Sequence, residues 1–157
     1  MRKEIERKFK VINNGYKEHS KGELYRQGYL STHFERVVRV RTAGGKGYLT
    51  IKGANTGAIR KEFEYEIPLN EACEMLENLC QKPIIEKYRY KVHYKGFVWE
   101  IDEFLGENEG LVLAEIELQH ECQSFCIPDW IGEEVTGDIR YYNSNLLKNP
   151  YNRWSIV

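Results

Sequence analysis

The stretch Arg60-Lys61-Glu62-Phe63-Glu64-Tyr65-Glu66-Ile67 alternates charged with apolar side chains. Successive side chains of a β-strand point to opposite faces, so this alternation predicts a strand with one charged face and one apolar face. A strand of this kind becomes stable when its apolar face is covered by other parts of the chain. The flanking sequence therefore has to supply both partner strands and cover.

The same alternation recurs along the chain, interrupted by turn signals such as Ala43-Gly44-Gly45 and Lys95-Gly96. Close turns favour an antiparallel meander, and closure into a barrel removes the exposed edges of such a sheet. We predict eight strands, near residues 4–11, 23–31, 36–42, 47–53, 60–68, 84–94, 97–104 and 111–119.

A helix is predicted between the fifth and sixth strands. Asn70 is a typical N-cap residue, and Pro83 ends the helical pattern. Apolar residues recur between them at helical spacing: Leu69, Ala72, Cys73, Leu76, Leu79 and Cys80. Two further short helices are predicted at 128–134 and 141–147.

The size and charge of the chain limit the number of its domains and the kinds of partner it can bind. Its 157 residues fit one domain, 1–157, and its formal net charge of −1 does not indicate a nucleic-acid or anionic-membrane partner. No apolar run reaches the roughly 20 residues that a membrane helix needs, and the charged amino terminus lacks the pattern of a signal peptide. We therefore expect a cytoplasmic domain that binds neither nucleic acid nor membrane.

The four cysteines fit a reducing compartment. Cys73 and Cys80 lie about 10 Å apart along the predicted helix, which is too far for a disulfide. Cys122 and Cys126, with His120 nearby, lack the tight paired spacing of a zinc site. Four reduced thiols are the expected state.

The charges are sorted by sign between the predicted strands. The acidic faces carry Glu62 with Glu64, Glu100 with Asp102, and Glu115 with Glu117, whereas the basic faces carry Arg39 with Arg41, Lys52, and Lys87 with Arg89. One explanation is an antiparallel sheet with a solvated charged face. The other is a barrel with these faces inward, where guanidinium groups bind phosphate oxygens and carboxylates hold a hard cation such as Mg²⁺. Alternation alone leaves both interpretations open.

A series of motifs resembles one protein family along essentially the whole chain. Glu4-Ile5-Glu6-Arg7-Lys8 is similar to the ExExK signature of the CYTH superfamily, also called triphosphate tunnel metalloenzymes. Further motifs of that family follow in order: Arg26-Gln27-Gly28-Tyr29-Leu30, Arg39-x-Arg41, Leu49-Thr50-Ile51-Lys52, Glu62-x-Glu64, Glu86-Lys87-x-Arg89-Tyr90, Trp99-Glu100-x-Asp102, Glu115-x-Glu117 and Glu134-Val135-Thr136. The resemblance is to the compact, single-domain bacterial members.

The resemblance implies an α+β fold, namely an eight-stranded antiparallel closed β-barrel (a tunnel) with a charged lumen and helices packed on the outside. It also implies hydrolysis of inorganic triphosphate (tripolyphosphate) to pyrophosphate and phosphate with Mg²⁺ or Mn²⁺. The metal-ligand candidates are Glu4, Glu6, Glu62, Glu64, Asp102, Glu115 and Glu117, of which Glu4, Glu115 and Glu117 are the first choices.

The same resemblance implies that a group of basic residues binds the substrate. The substrate-binding candidates are Lys8, Arg39, Arg41, Lys52, Lys87, Arg89 and Arg140, the last within the stretch 138–143 that resembles the family's C-terminal plug helix. Lys8, Lys52 and Lys87 are also the catalytic candidates. The group that accepts a proton from the attacking water stays open between such a lysine and metal-activated water.

Three alternatives to the inorganic triphosphatase remain. A class IV adenylate cyclase shares the tunnel, but no base-recognition cluster is evident in the sequence. A nucleoside or thiamine triphosphatase differs from an inorganic triphosphatase only in its substrate. A non-catalytic polyphosphate-binding module is disfavoured by the seven candidate ligand carboxylates, for which a pure anion binder has no use.

Overall fold

A computed structural model describes residues 2–154, so Met1 and residues 155–157 of the predicted domain 1–157 lie outside it. All eight predicted strands are confirmed, and their ends shift by no more than two residues. They are β1 (Arg2–Val11), β2 (Glu23–Ser31), β3 (Val37–Ala43), β4 (Lys46–Lys52), β5 (Ile59–Ile67), β6 (Ile85–Tyr94), β7 (Phe97–Phe104) and β8 (Val112–Glu117).

The eight strands form one antiparallel sheet in the order β5-β4-β3-β2-β6-β7-β8-β1. Pairing of β1 with β5, which sets Glu4 opposite Arg60, closes the sheet into a barrel. The register also aligns charged positions of neighbouring strands, for example Lys8 with Glu115. The predicted eight-stranded antiparallel closed β-barrel is therefore confirmed.

A ninth strand, β9 (Ile131–Glu134), occupies part of the stretch 128–134, where a helix was expected, so that prediction is wrong. β5 pairs with β1 only from Arg2 to Ile5, and the backbone groups on the rest of that edge of β1 need other partners. β9 supplies them by setting Glu134 opposite Phe9. This requirement arises from the closed barrel and leaves no local signal in the sequence.

Helix α1 (Leu69–Asn78) follows β5 and packs on the outside of the barrel, as predicted. Its N-cap is Pro68, whose carbonyl accepts the first helical hydrogen bond from the Ala72 N–H at 3.0 Å. Asn70 lies inside the first turn, so its prediction as the N-cap is wrong. The proline has no N–H that would need an acceptor, and this allows the helix to begin directly after the strand.

The inner face of α1 packs closely against β3 and β4, where small residues meet. Ala72 and Leu76 are buried with Val40 of β3. Gly47 of β4 allows a close approach, because a Cβ atom at this position would lie 2.6 Å from the Ala72 Cβ. Helix and sheet therefore approach each other more closely than a larger side chain at position 47 would permit.

The main apolar cluster covers the outer face of the barrel. Phe9, Trp99 and Ile116 of β1, β7 and β8 are buried beneath Tyr16 and Trp130, which belong to connecting segments. The Trp99 and Trp130 rings meet edge to face with centroids 5.9 Å apart. Because these residues alternate with the charged ones, this packing directs the charged side chains into the lumen.

The C-terminal segment covers one end of the barrel. A 3₁₀ turn (Ile139–Tyr141) and helix α2 (Asn143–Leu146), which lies within the predicted helix 141–147, follow β9. Apolar residues of this segment and of the barrel are buried together there: Tyr29, Val37, Ile85, Phe104, Leu113, Val135, Tyr141, Leu146 and Leu147. In residues 2–154, no helix has the length and apolar character that crossing a membrane requires.

Candidate active site

The barrel encloses a cavity of about 310 Å³ that is lined mainly by charged side chains. Its charged lining residues are Arg2, Glu4, Glu6, Lys8, Arg39, Arg41, Lys52, Arg60, Glu62, Glu64, Lys87, Arg89, Lys91, Glu100, Glu115 and Glu117. Within residues 2–154, nine of these are cationic and seven are anionic. The cavity is thus densely charged but close to neutral.

Twelve of the fourteen predicted site residues line this cavity; the exceptions are Asp102 and Arg140. Asp102 lies behind the wall and is only 2% exposed. Arg140 does not reach the cavity, contrary to the expectation that it contacts the substrate. Its side chain is exposed and donates to the Asp138 carboxylate, at 2.7 Å from Nη2 to Oδ2, because Asp138 begins the 3₁₀ turn that carries it.

Lys52 joins two carboxylates where β4, β5 and β1 meet. Its Nζ lies 3.0 Å from Glu4 Oε1 and 3.5 Å from Glu62 Oε2. Burial raises the pKa of Glu62, and the neighbouring Glu4 carboxylate raises it further. Glu4 has a lowered pKa because Lys52 outweighs the effect of its burial. One lysine thus shares its charge between two crowded carboxylates.

A second group on β1 and β8 has the same composition. Lys8 Nζ lies 3.3 Å from Glu115 Oε1, and this cation lowers the pKa of Glu115 to about 2 despite its burial. Glu6 lies beside Glu115 and Glu4, and its pKa is raised well above the usual range, mainly by burial and then by these two carboxylates. This part of the cavity therefore holds two carboxyl groups for one lysine.

Asp102 fixes two cations of β6. Its Oδ1 accepts from Arg89 Nε at 2.7 Å, and its Oδ2 accepts from Arg89 Nη2 at 2.8 Å and from Lys87 Nζ at 2.7 Å. Burial and the adjacent Arg89 lower the pKa of Lys87 to about 7, although Asp102 opposes this shift. These contacts occupy most of the Asp102 lone pairs, which favours a role in positioning cations over direct metal ligation.

The two arginines of β3 have fewer anionic partners. Arg39 and Arg41 share one carboxylate oxygen, Glu64 Oε1, at 3.5 and 3.3 Å from their Nη2 atoms. Thr50 also donates to that oxygen, at 2.8 Å. Within residues 2–154, the buried Nε atoms of both arginines have no acceptor. Burial, together with Arg39 and Arg89, lowers the pKa of Arg41 to about 10.

The C-terminal segment contacts two of the predicted catalytic lysines. Lys8 Nζ donates to the Tyr141 carbonyl oxygen at 3.1 Å, and Lys87 Nζ lies 3.3 Å from Asn143 Oδ1. Thr136 accepts from the Lys8 backbone N–H at 2.9 Å. The stretch that resembles a plug helix therefore reaches the lumen through the Tyr141 carbonyl, Tyr142 and Asn143, whereas Arg140 does not line the cavity.

An uncharged row of residues on β2, which was not predicted, also faces the cavity. Tyr25 and Tyr29 line the cavity, and Gln27 lies between them on the same face, with its Nε2 donating to the Tyr29 hydroxyl at 2.9 Å. The period-two spacing of these three residues is the signal that could have indicated them. They lack formal charge, so sorting the strands by sign of charge did not select them.

The acidic residues fit a hard divalent cation by their chemistry. Carboxylate oxygens are the ligands that Mg²⁺ and Mn²⁺ prefer, and Glu4, Glu6 and Glu115 lie close enough together for their charges to interact. In residues 2–154, no three acidic, histidine or cysteine side chains converge on one point. Lys8 and Lys52 instead make the contacts to Glu115 and Glu4.

Comparison with known proteins finds relatives that align with nearly the whole chain. An inorganic triphosphatase of Acetivibrio thermocellus is 63% identical over 151 residues, covering 96% of this chain and 97% of that protein. An inorganic triphosphatase of Nitrosomonas europaea is 38% identical, covering 91% and 95%. A crystal structure of an inorganic triphosphatase superposes with a TM-score of 0.63 at 34% identity, covering 91% of this chain and 96% of that one. The CYTH domain family matches residues 2–149, and the chain belongs to this family.

Proposed function

We propose that this protein hydrolyses inorganic triphosphate to pyrophosphate and phosphate inside the barrel, with Mg²⁺ or Mn²⁺ as cofactor. Relatives that are named inorganic triphosphatases and align over nearly their whole length support this substrate. The cavity volume of about 310 Å³, at the lower end of the range for small-molecule sites, is consistent with a compact ligand.

The observation that carries the proposal is the unmet donor capacity of Arg39 and Arg41. Both guanidinium groups lie at the cavity wall, and within residues 2–154 their buried Nε–H groups have no acceptor. Buried donors are usually satisfied, and phosphate oxygens match the geometry of guanidinium groups. A bound polyphosphate would supply the missing acceptors.

The near neutrality of the lining supports the need for a metal ion. A linear triphosphate carries about four to five negative charges, more than the excess of two cations can balance. The residues that would hold the ion are Glu4, Glu6, Glu62, Glu64, Glu115 and Glu117. When bound, the ion would neutralise phosphate oxygens and help to activate water for in-line attack.

The basic residues would act by positioning the substrate. Arg39, Arg41 and Arg89 would bind phosphate oxygens, with Lys8 and Lys52 as additional cations. The lowered pKa of Lys87, about 7, makes this lysine the best candidate to exchange a proton near neutral pH. The pKa of Lys8 is raised, mainly because Glu115 and Glu6 outweigh its burial, so Lys8 stays protonated as a phosphate ligand.

The test is phosphate release from inorganic triphosphate and, in parallel, from ATP, with Mg²⁺, Mn²⁺ or EDTA. We expect metal-dependent release that clearly favours inorganic triphosphate and is abolished by EDTA. Formation of cyclic AMP and pyrophosphate from ATP, with inorganic triphosphate inert, would identify a cyclase instead. Tight triphosphate binding without turnover in either metal would identify a binding module.

A further inference from the structure

Tyr25 occupies a central position among the arginines of the cavity. It lies on the inward face of β2, whose neighbours are β3 and β6, and it is 5% exposed. The register sets Tyr25 opposite Ala43 of β3 and Lys87 of β6. Arg41 and Arg89, two residues along those strands, are therefore its diagonal neighbours, within reach of an aromatic side chain.

The Tyr25 ring contacts both of these guanidinium groups. The ring centroid lies 5.2 Å from Arg41 Cζ and 4.9 Å from Arg89 Cζ, both within the range of a cation–π interaction. A second ring, that of Tyr48 on β4, lies 5.5 Å from Arg41 Cζ. Arg41 thus has two aromatic neighbours as well as its ion pair with Glu64.

The two arginines are held in different ways. Arg89 is fixed by two hydrogen bonds to Asp102. Arg41 has only the Glu64 oxygen that it shares with Arg39, and within the described part of the chain its Nε has no acceptor. An aromatic face attracts a guanidinium without occupying its N–H donors. The ring can therefore orient Arg41 while its donors stay available for an anion.

We infer that Tyr25 is a positioning residue, which holds Arg41 beside Arg89 so that the two guanidinium groups bind one phosphate group of the substrate together. Without the ring, only the Tyr48 ring and the shared Glu64 oxygen, among the described residues, would hold Arg41 against repulsion from Arg89. This inference rests on the proposed function, because it assigns the phosphate-binding pair of that site.

The test compares Tyr25→Leu with Tyr25→Phe. Tyr25→Leu should raise the KM for inorganic triphosphate about tenfold, as expected for the loss of a desolvated cation–π contact, and change kcat much less. Tyr25→Phe keeps the ring and should behave like the wild type. The control is Tyr88→Leu, which removes a half-exposed ring from the outer face of β6. Equal KM values for Tyr25→Leu and the wild type would overturn the inference.

A double-mutant cycle with Arg41→Met separates positioning from a general packing role. If Tyr25 acts through Arg41, Tyr25→Leu should raise KM much less in the Arg41→Met background than in the wild type. Independent effects that multiply in the double variant would show that Tyr25 does not act through Arg41.

A shape-preserving variant covers the case in which Tyr25→Leu does not fold. Replacement of Tyr25 by pentafluorophenylalanine keeps a ring of similar size and reverses its electrostatic face, so triphosphate should bind more weakly than to Tyr25→Phe. Calorimetric titration with inorganic triphosphate in EDTA measures this without turnover. Equal affinities would contradict the inference. A wild type that binds triphosphate but does not hydrolyse it in Mg²⁺ or Mn²⁺ would instead contradict the proposed function alone.

Discussion

The buried ion group of Lys87, Asp102 and Arg89 allows a quantitative prediction about Asp102→Asn. The substitution keeps the shape of the side chain but removes the negative charge that accepts three hydrogen bonds at 2.7–2.8 Å. Removing one partner of a buried ion pair costs about 3–5 kcal/mol, because the remaining charges are left without compensation. Lys87 can lose its proton, so we expect the lower end, about 3 kcal/mol.

The assay is equilibrium unfolding in urea at pH 7. A loss of this size should lower the midpoint by on the order of 2 M, given a typical slope of 1–3 kcal/mol/M. The matched control is Glu100→Gln, because Glu100 contacts the same Arg89 at 3.4 Å but its side chain is 32% exposed. The control should lose less than about 1 kcal/mol. If Asp102→Asn lost no more stability than this control, Asp102 would not hold the two cations as described.

Three further predictions concern the proposed metal ligand Glu117, the titration of Lys87, and Arg140, which does not line the cavity. Glu117→Gln should raise the Mg²⁺ or Mn²⁺ concentration needed for half-maximal turnover; normal turnover at every metal concentration would remove Glu117 from the ligand set. The pKa of Lys87 is lowered from 10.5 to about 7 in the folded state, so the unfolded chain binds more protons between these pH values. The free energy of unfolding should therefore rise with pH from 7 to 9, by up to about 1.4 kcal/mol per pH unit. Lys87→Met should lack this part of the rise in urea titrations, and identical slopes would be evidence against the lowered pKa. Arg140→Ala should leave the KM for triphosphate within about twofold of the wild type, because the side chain does not line the cavity; a large increase would return Arg140 to the substrate-binding set.

Strand periodicity was enough to predict most of the barrel. Alternation around Glu62 and Glu64 determines which side chains share a face, and a one-residue error would have moved them to the apolar side. The direction of that face was not readable from alternation, since a solvated sheet would show the same pattern. The outer cover by Trp130 and Tyr16, from distant segments, is what directs the charges inward.

The features that sequence analysis missed depend on tertiary contacts. β9 forms because β5 leaves part of one edge of β1 without a strand partner. Asp102 lies behind the cavity wall, where it forms ion pairs with both Arg89 and Lys87. Tyr25 acquires its neighbours only through the pairing of β2 with β3 and β6. Neither a strand partner nor a buried ion group is encoded in a single stretch of residues.

The charged lumen also has a consequence for how the protein reaches its folded state. β1 pairs with β8, from the other end of the sequence, so the barrel cannot close before most of the chain is available. During that delay an open sheet exposes its future interior to water. An apolar interior exposed in this way would promote aggregation with other chains. Here the inward face carries lysine, arginine and glutamate side chains, which stay hydrated, so only the apolar outer face, whose cover includes Trp130 from late in the chain, can join other chains before closure.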